Sequence, residues 1–215
     1  MRTLAAILAI VFGLPILAAA QDATVGRPTW ATADAWTYRS WEGDEFTMTV
    51  ISAASDGYAV EFKDSKGKDI VPYTVDVSPP GATFFRFQWP LKVGKKWDWT
   101  RSGEDIDHKY GTPMTWTTAE KVEGRESVTV PAGTFDAVRI HGRECKVTQQ
   151  STSGAACGNF DVWYAPQVKN YVRVRWTGSY WGGDKTLHPQ ELISYHVHYR
   201  HMPNERWGTV PESAQ

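Results

Sequence analysis

Apolar and polar residues alternate through most of the chain from Trp36 to Tyr199. Gly, Pro, Asn and Asp interrupt this alternation about every eight to twelve residues, which is typical of strands joined by short turns. No segment of about ten residues or more carries an apolar stripe at helical spacing. The pattern therefore predicts a series of strands, among them 36–38, 46–50, 58–62, 73–77, 85–89, 97–100, 127–130, 137–141, 161–164, 172–177 and 192–199.

Short links between consecutive strands favour antiparallel pairing, because a parallel pair needs a long crossover connection. Pro131-Ala132-Gly133 is the clearest predicted turn, since proline presets φ and glycine closes the turn. A sheet of about ten strands must curl or double over to protect its edges. We therefore expect an all-β fold, either a curved antiparallel sheet or a barrel-like sandwich of about ten strands.

The N-terminus has the pattern of a cleavable secretory signal peptide. A short basic start precedes an uncharged apolar run at 4–17, and Ala18 and Ala20 fit the small-residue rule for cleavage after position 20. Gly13 and Pro15 argue against an uncleaved membrane anchor, because both interrupt a helix. We expect a periplasmic or secreted protein with these parts: signal peptide 1–20, N-terminal arm 21–35, single β domain 36–202 and irregular tail 203–215.

The charge balance argues against a nucleic-acid-binding protein. The chain has 23 basic and 24 acidic residues, for a net charge of -1, whereas such proteins normally carry a basic excess. No segment after the signal peptide is apolar enough to cross a membrane as a helix.

Cys145 and Cys157 are the two cysteines of the chain. Because an exported protein meets an oxidising environment, we predict a disulfide that closes the Ser-, Thr- and Gly-rich segment between them. Two cysteines alone cannot form a structural zinc site.

The chain is rich in aromatic residues, with 11 Trp, 9 Tyr and 8 Phe. Phe85, Phe87 and Trp89 share one face of a predicted strand, and the next predicted strand carries two further rings on one face, Trp97 and Trp99. Such a surface must be covered, because an exposed one promotes aggregation. The cover is either the protein's own opposite sheet or an apolar or amphipathic ligand, and the candidate ligand contacts are Phe85, Phe87, Trp97 and Trp99.

Arg173 and Arg175 share one face of the predicted strand 172–177, with Tyr171 beside them. An aromatic face with two guanidinium groups can bind an acidic sugar or a lipid headgroup. The alternative is a polar outer face without a ligand.

His196 and His198 project from one face of the last predicted strand, roughly 6.5–7 Å apart. Two histidines at this spacing can share a metal ion, but no third ligand is evident nearby, so the alternative is that both face solvent. We expect no bound metal and no cofactor. The sequence has no G-x-S-x-G nucleophile motif, and we assign no catalytic residue.

Four segments carry a family resemblance: LKVGKKW at 91–97, VTVPAGTFDA at 128–137, WYAP at 163–166 and ELISY at 191–195. In their order and spacing they resemble the TapB-like family of exported bacterial proteins, which is related to domain of unknown function 3108. The chain departs from the family pattern after Pro166, where Gln167 and Lys169 stand in a loop that often carries glycine. The resemblance implies an envelope location and a mostly-β fold, and it implies no activity.

Three hypotheses about function remain open. The first is an exported cell-envelope protein that binds an apolar or amphipathic ligand, or an envelope protein partner, without catalysis. The second is a hydrolase acting on an envelope polymer, and the third is a structural or assembly factor without a small ligand. An aromatic cavity favours the first, two converging carboxylates in a cleft the second, and a filled interior with an apolar surface patch the third.

Overall fold

The structure, a computed structural model, describes residues 24–54, 57–74, 86–103, 114–148, 156–177 and 189–199. Within these residues the chain forms ten strands and one short 3-10 helix. The strands are β1 (Ala35–Arg39), β2 (Glu45–Ala53), β3 (Tyr58–Asp64), β4 (Gly67–Tyr73), β5 (Lys96–Gly103), β6 (Met114–Val130), β7 (Gly133–Thr148), β8 (Ala156–Ala165), β9 (Asn170–Thr177) and β10 (Gln190–His196), and the 3-10 helix (Pro166–Val168) connects β8 to β9.

All ten strands belong to one antiparallel sheet, in the order β4-β3-β2-β1-β10-β9-β8-β7-β6-β5. β1 and β10 are neighbours as the fourth and fifth strands in this order, while β4 and β5 lie at the edges, so the sheet is not closed. The sheet is curved and resembles a sandwich. The predicted all-β, curved antiparallel architecture is confirmed. Among the described residues, no helix is long and apolar enough to cross a membrane.

One face of the curved sheet, here called the inner face, is mainly apolar. Trp36 of β1 lies opposite Met48 of β2, and Ile140 of β7 lies opposite Val162 of β8, and all four are fully buried. Opposite residues of an antiparallel pair share a face, so these contacts define the core. Each such side chain contributes about 1.5–3 kcal/mol by leaving water. The alternate residues form the outer face.

Two segments outside the strands cover the inner face. Val25 and Leu91 form an isolated antiparallel bridge, with N···O distances of 2.9 and 2.8 Å. Trp30 is 4% exposed, stacks on Tyr73 at 5.6 Å between ring centroids, and donates its indole N–H to the Lys169 carbonyl oxygen at 2.9 Å. Val25 and Trp30, which belong to the predicted N-terminal arm 21–35, therefore contribute to the core.

The predicted strand at 85–89 is wrong for the residues that the structure describes there. Arg86 forms a single bridge, and residues 87–89 cross the inner face without forming a strand. The ring of Phe87 contacts Tyr164 of β8 at 5.3 Å between centroids, and Trp89 contacts the same ring at 5.0 Å. The aromatic residues alternate here because their rings pack onto the sheet from above. A segment of this kind has the same sequence pattern as a strand.

The predicted strand at 73–77 is displaced. The observed strand β4 ends at Tyr73, and residues 75–77 lie outside the described part of the chain. β4 contains Lys68, Asp69 and Pro72, so its sequence does not alternate. This irregularity is tolerated because β4 is an edge strand, where a proline need not donate to a neighbour.

β6 and β7 form a hairpin that is longer than its neighbour β8. Its turn is the predicted one at Pro131-Ala132, followed by Gly133 with φ of +132°, a conformation that favours glycine. A bulge between Val122 and Gly124 shifts the register of β6 by one residue. The alternation of apolar and polar residues changes phase at this bulge. It therefore predicted a separate strand at 127–130, where the structure has one continuous strand, β6.

The tip of this hairpin extends beyond β8 and reaches β10. Pairing with β8 begins only at Val138, yet the tip buries Val128, Val130 and Phe135. Ala132 donates its backbone N–H to the Leu192 carbonyl oxygen at 3.1 Å, and Phe135 packs edge-on against Tyr195 at 5.8 Å. Two of the segments that carry the family resemblance, 128–137 and 191–195, are therefore in direct contact.

Candidate functional site

The aromatic ligand candidates lie on the inner face under the protein's own cover. Trp97 of β5 is 7% exposed and donates its indole N–H to the Arg86 carbonyl oxygen at 2.8 Å. Phe87 belongs to the covering segment and is 5% exposed. Phe85 lies outside the described residues. The described part of the chain therefore fills the space beside Trp97 and Phe87 with its own side chains.

Trp99, the fourth candidate, contacts a buried carboxyl group that the sequence analysis did not select. Its indole N–H donates to Glu120 Oε1 at 2.7 Å, and the Arg86 backbone N–H donates to the same oxygen at 3.0 Å. Glu120 is 3% exposed, and its Oε2 has no hydrogen-bond partner. Burial raises the pKa of Glu120 to about 8, against the opposing effect of the two hydrogen bonds. This side chain is therefore mainly protonated at neutral pH.

A second buried carboxyl group, Glu144 of β7, lies on the same face near Glu120. Its Oε2 is 3.8 Å from Arg101 Nη2 and accepts a hydrogen bond from Thr118 Oγ1 at 3.4 Å. The Arg101 guanidinium lies 3.8 Å from the centroid of the Trp116 ring. Two neighbouring carboxyl groups are what the hydrolase hypothesis requires. Both are almost fully buried, however, so they link β5, β6 and β7 and do not line a cleft among the described residues.

An open groove lies at one end of the sheet, beside the β1–β2 and β3–β4 turns. Its volume is about 770 Å³, within the range of small-molecule sites. Trp41, Phe46 and Phe62 supply its aromatic surface, and Gln190 of β10 reaches it from the centre of the sheet. The ring of Phe46 stacks on the buried Tyr38 at 5.4 Å, which fixes its position. The charged residues of the groove are Glu42, Asp44, Glu45, Lys63, Asp64, Lys66, Lys68 and Asp69.

The outer face of β9 carries Arg173 and Arg175, as the alternation predicts. The neighbouring ring is Trp163 of β8, however, and not Tyr171. A bulge between Trp163 and Tyr164 shifts the β8–β9 register, so Tyr171 points to the inner face and stacks on Tyr38 at 4.4 Å. Single-residue shifts of this kind are invisible to a strict period of two.

The two histidines at the end of β10 lie close together but have different surroundings. Their ring centroids are 4.8 Å apart. The backbone N–H of His198 donates to Asp34 Oδ1 at 2.6 Å, and its ring Nδ1 lies 3.1 Å from the same oxygen. Asp34 is fully buried and also accepts from Lys169 Nζ at 3.2 Å. No group of three metal-ligand side chains occurs among the residues that the structure describes.

The predicted disulfide between Cys145 and Cys157 is present. The two Cα atoms are 4.1 Å apart, well within the reach of a disulfide. The residues lie directly opposite each other in the β7–β8 ladder. The bond therefore joins two strands that are already paired.

The sequence pattern could have identified some of the site residues that we did not predict. Glu120 is in phase with Val122, and Glu144 is in phase with Ile140, so both occupy inward positions of otherwise apolar strands. A charged residue at an inward position indicates a buried polar contact. The groove had no such signal, because turns that are distant in sequence form it.

No protein-family model matches this chain, and no curated protein is significantly similar to it, so the resemblance to the TapB-like family stays a prediction. Two solved structures are similar. One, a candidate lipoprotein from Parabacteroides distasonis, has 14% identity and a TM-score of 0.47, over 80% of this chain and 99% of the other. The other, a candidate exported protein with a YmcC-like fold from Bacteroides fragilis, has 12% identity and a TM-score of 0.43, over 81% of this chain and 100% of the other.

Proposed function

We propose that this is an exported cell-envelope protein that binds an amphipathic molecule without catalysis, in the groove beside the β1–β2 and β3–β4 turns. The observation that carries this proposal is the composition of the groove. Trp41, Phe46 and Phe62 give it an apolar surface, and charged side chains surround them. A molecule with one apolar and one polar end matches both parts.

The charges of the groove favour a cationic or uncharged head over an anionic one. Five carboxylate side chains and three lysines line it, so its local charge is negative. Asp64 Oδ1 accepts from the backbone N–H groups of Lys66 and Gly67, which holds this carboxylate in place at the β3–β4 turn. Aromatic rings also attract cations through their faces.

The test is a thermal-shift measurement with three amphiphiles of equal chain length, used below their micelle concentrations. Their heads are trimethylammonium, phosphocholine and sulfate. We expect the first two to raise the melting temperature more than the third. Trp41→Ala should abolish this shift, and Ile70→Ala, a change at a residue that is 62% exposed and outside the groove, should leave it unchanged. If no amphiphile shifts the wild-type protein, the small-ligand proposal fails and a protein partner takes its place.

The proposed envelope location rests on the signal-peptide pattern and on the family resemblance. Cleavage after Ala20 makes Gln21 the first residue of the mature chain. Mass spectrometry of the protein recovered from the envelope or the medium should find the mass that lacks residues 1–20. Recovery of the full-length mass would instead support a membrane anchor.

A further inference from the structure

The outer face of β7, β8 and β9 carries a compact group of charged side chains around one tryptophan. Arg139, Arg173 and Arg175 surround the ring of Trp163, with guanidinium-to-centroid distances of 5.8, 5.7 and 5.5 Å. We call these three residues, with Asp161, the arginine cluster. Its members come from three neighbouring strands, and their register places them side by side. The sequence suggested only Arg173 and Arg175.

Asp161 lies beneath two of these arginines. Its Oδ1 accepts from Arg139 Nε at 3.1 Å and Nη2 at 3.0 Å, and its Oδ2 accepts from Arg175 Nη2 at 2.8 Å. His141 Nδ1 also lies 3.0 Å from Oδ1. Burial alone would raise the pKa of Asp161, but the hydrogen bonds from Arg175, His141 and Arg139 hold it below its usual value. The carboxylate therefore stays ionised and neutralises only one of its two arginines.

The third arginine is neutralised separately. Arg173 Nη2 lies 2.8 Å from Glu191 Oε1, and the same guanidinium donates to the Thr129 carbonyl oxygen at 2.5 Å. Arg139, Arg175 and Asp161 taken by themselves thus carry one net positive charge, before the neighbouring carboxylate of Glu126 is counted.

The guanidinium groups of Arg139 and Arg175 are accessible, and their positions are fixed. The side chain of Asp161 is only 5% exposed, whereas those of Arg139 and Arg175 are 35% and 44% exposed. Trp163 is 5% exposed, so its ring supports the guanidinium groups from below. An incoming anion therefore meets two half-exposed guanidinium groups whose orientation is set before binding, which lowers the entropy lost on binding.

We propose that the arginine cluster is a binding site for a phosphate group, either on a soluble molecule or on a lipid headgroup. Two guanidinium groups present several planar N–H donors, which match an oxyanion with three or four acceptor oxygens. The site lies on the opposite face of the sheet from the covered core, and the ligand of the groove does not enter it.

One nearby carboxylate opposes an anion. Glu126 of β6 accepts the indole N–H of Trp163 and is exposed on the same outer side. Glu126→Gln keeps an oxygen that can accept this hydrogen bond and removes the negative charge. This variant should bind phosphate more tightly than the wild type, an effect that a purely structural cluster does not produce.

The experiment titrates the exported form of the protein with inorganic phosphate at low ionic strength, by calorimetry, with acetate for comparison. We expect saturable binding of phosphate that is weakened roughly tenfold by Arg139→Gln or Arg175→Gln, in line with the loss of a charged hydrogen bond. Arg39→Gln is the control for charge alone, because Arg39 is 51% exposed on the outer face, pairs with Glu45, and is separated from Arg173 by Glu191 of β10. Circular dichroism of each variant checks that it is folded.

A second arm identifies the source of the phosphate. Co-sedimentation with phosphatidylcholine vesicles, with and without phosphatidylglycerol, tests for a headgroup. Binding to the anionic vesicles that is lost in Arg175→Gln assigns a lipid, and binding to free phosphate alone assigns a soluble ligand. The proposal is overturned if neither phosphate nor vesicles bind, if Arg39→Gln weakens binding as much as the cluster variants, or if Glu126→Gln does not tighten it.

Discussion

At the scale of single residues, a few polar side chains lie buried among the apolar ones of the inner face. Glu120 and Glu144 occupy inward positions that alternation assigns to apolar residues. Alternation does predict which way they point. It does not predict their partners, because Arg86 and Arg101 approach them from other parts of the chain. The sequence alone therefore locates a buried carboxyl group but not the reason it is tolerated.

Glu120 should make stability depend on pH. Its pKa in the folded protein is raised from 4.5 to about 8, so the folded state holds a proton that the unfolded state releases. Protonated Glu120 contributes fully to the free energy of unfolding below pH 4.5. As pH rises from 4.5 to about 8, this contribution is lost, and the free energy of unfolding falls by about 1.4 kcal/mol per pH unit. Glu120→Gln, which keeps the acceptor for Trp99, should remove this slope.

The measurement is urea unfolding of wild type and variant from pH 5 to pH 9. Glu123→Gln is the control, because Glu123 is an exposed residue of the same strand. That control should keep the slope of the wild type. Equal slopes in the wild type and Glu120→Gln would show that Glu120 is ionised in the folded protein.

Gly142 should tolerate no side chain. A Cβ atom at this position would lie 2.0 Å from Cζ of Phe160, whose ring covers the glycine and is fully buried. We expect Gly142→Ala to lower the free energy of unfolding by about 1–3 kcal/mol, as overpacking does. Gly124→Ala is the matched control, since a Cβ atom there meets nothing within 4 Å. Chemical denaturation should show a lower midpoint for the first variant only.

At the scale of elements, the alternating pattern predicts most strands, but it does not predict the bulges within them or the segment that covers the sheet. β2 and β3 follow their predicted ranges closely, because both alternate and both pair along their length. The covering segment 86–91 alternates just as cleanly and is not a strand. The bulges in β6 and between β8 and β9 reverse the expected faces beyond them. Each of these features depends on a neighbour that is distant in sequence.

The disulfide should stabilise the β7–β8 hairpin without being needed for its register. Because Cys145 and Cys157 already face each other in the ladder, the bond acts mainly by restricting the unfolded chain. A loop of 12 residues corresponds to at most about 3 kcal/mol. The double variant Cys145→Ala, Cys157→Ala should therefore fold and melt at a lower temperature. Labelling of both thiols in unreduced wild-type protein would contradict the bond.

At the scale of the whole molecule, the sheet consists of two runs of neighbouring strands joined by the pairing of β1 with β10. Sequence predicts the runs, since consecutive strands usually pair. It does not predict this junction, because nothing in 35–39 or 190–196 identifies the other as its partner. The groove draws on both sides of the junction, with Phe46 from one run and Gln190 from β10.

Leu192 tests whether the two runs unfold together. It is fully buried in β10 beside Tyr38 of β1. Leu192→Ala should cost about 2–5 kcal/mol, as expected for a buried leucine. In hydrogen exchange, amides of β2 and of β8 should lose protection equally, while Ile70→Ala at the edge changes little. Loss of protection in one run alone would show that the junction does not couple them.

The β1–β10 pairing also has a consequence in time. A ribosome releases a chain from its N-terminus, so β1 to β4 can pair among themselves long before β10 exists. Until then one side of β1 remains an open strand edge, with unpaired backbone groups that can attract other chains. Among the strands that the structure describes, the last one synthesised is thus the partner on which the first depends. A chain that has not yet gained β10 therefore carries an unpaired edge that favours association with other chains.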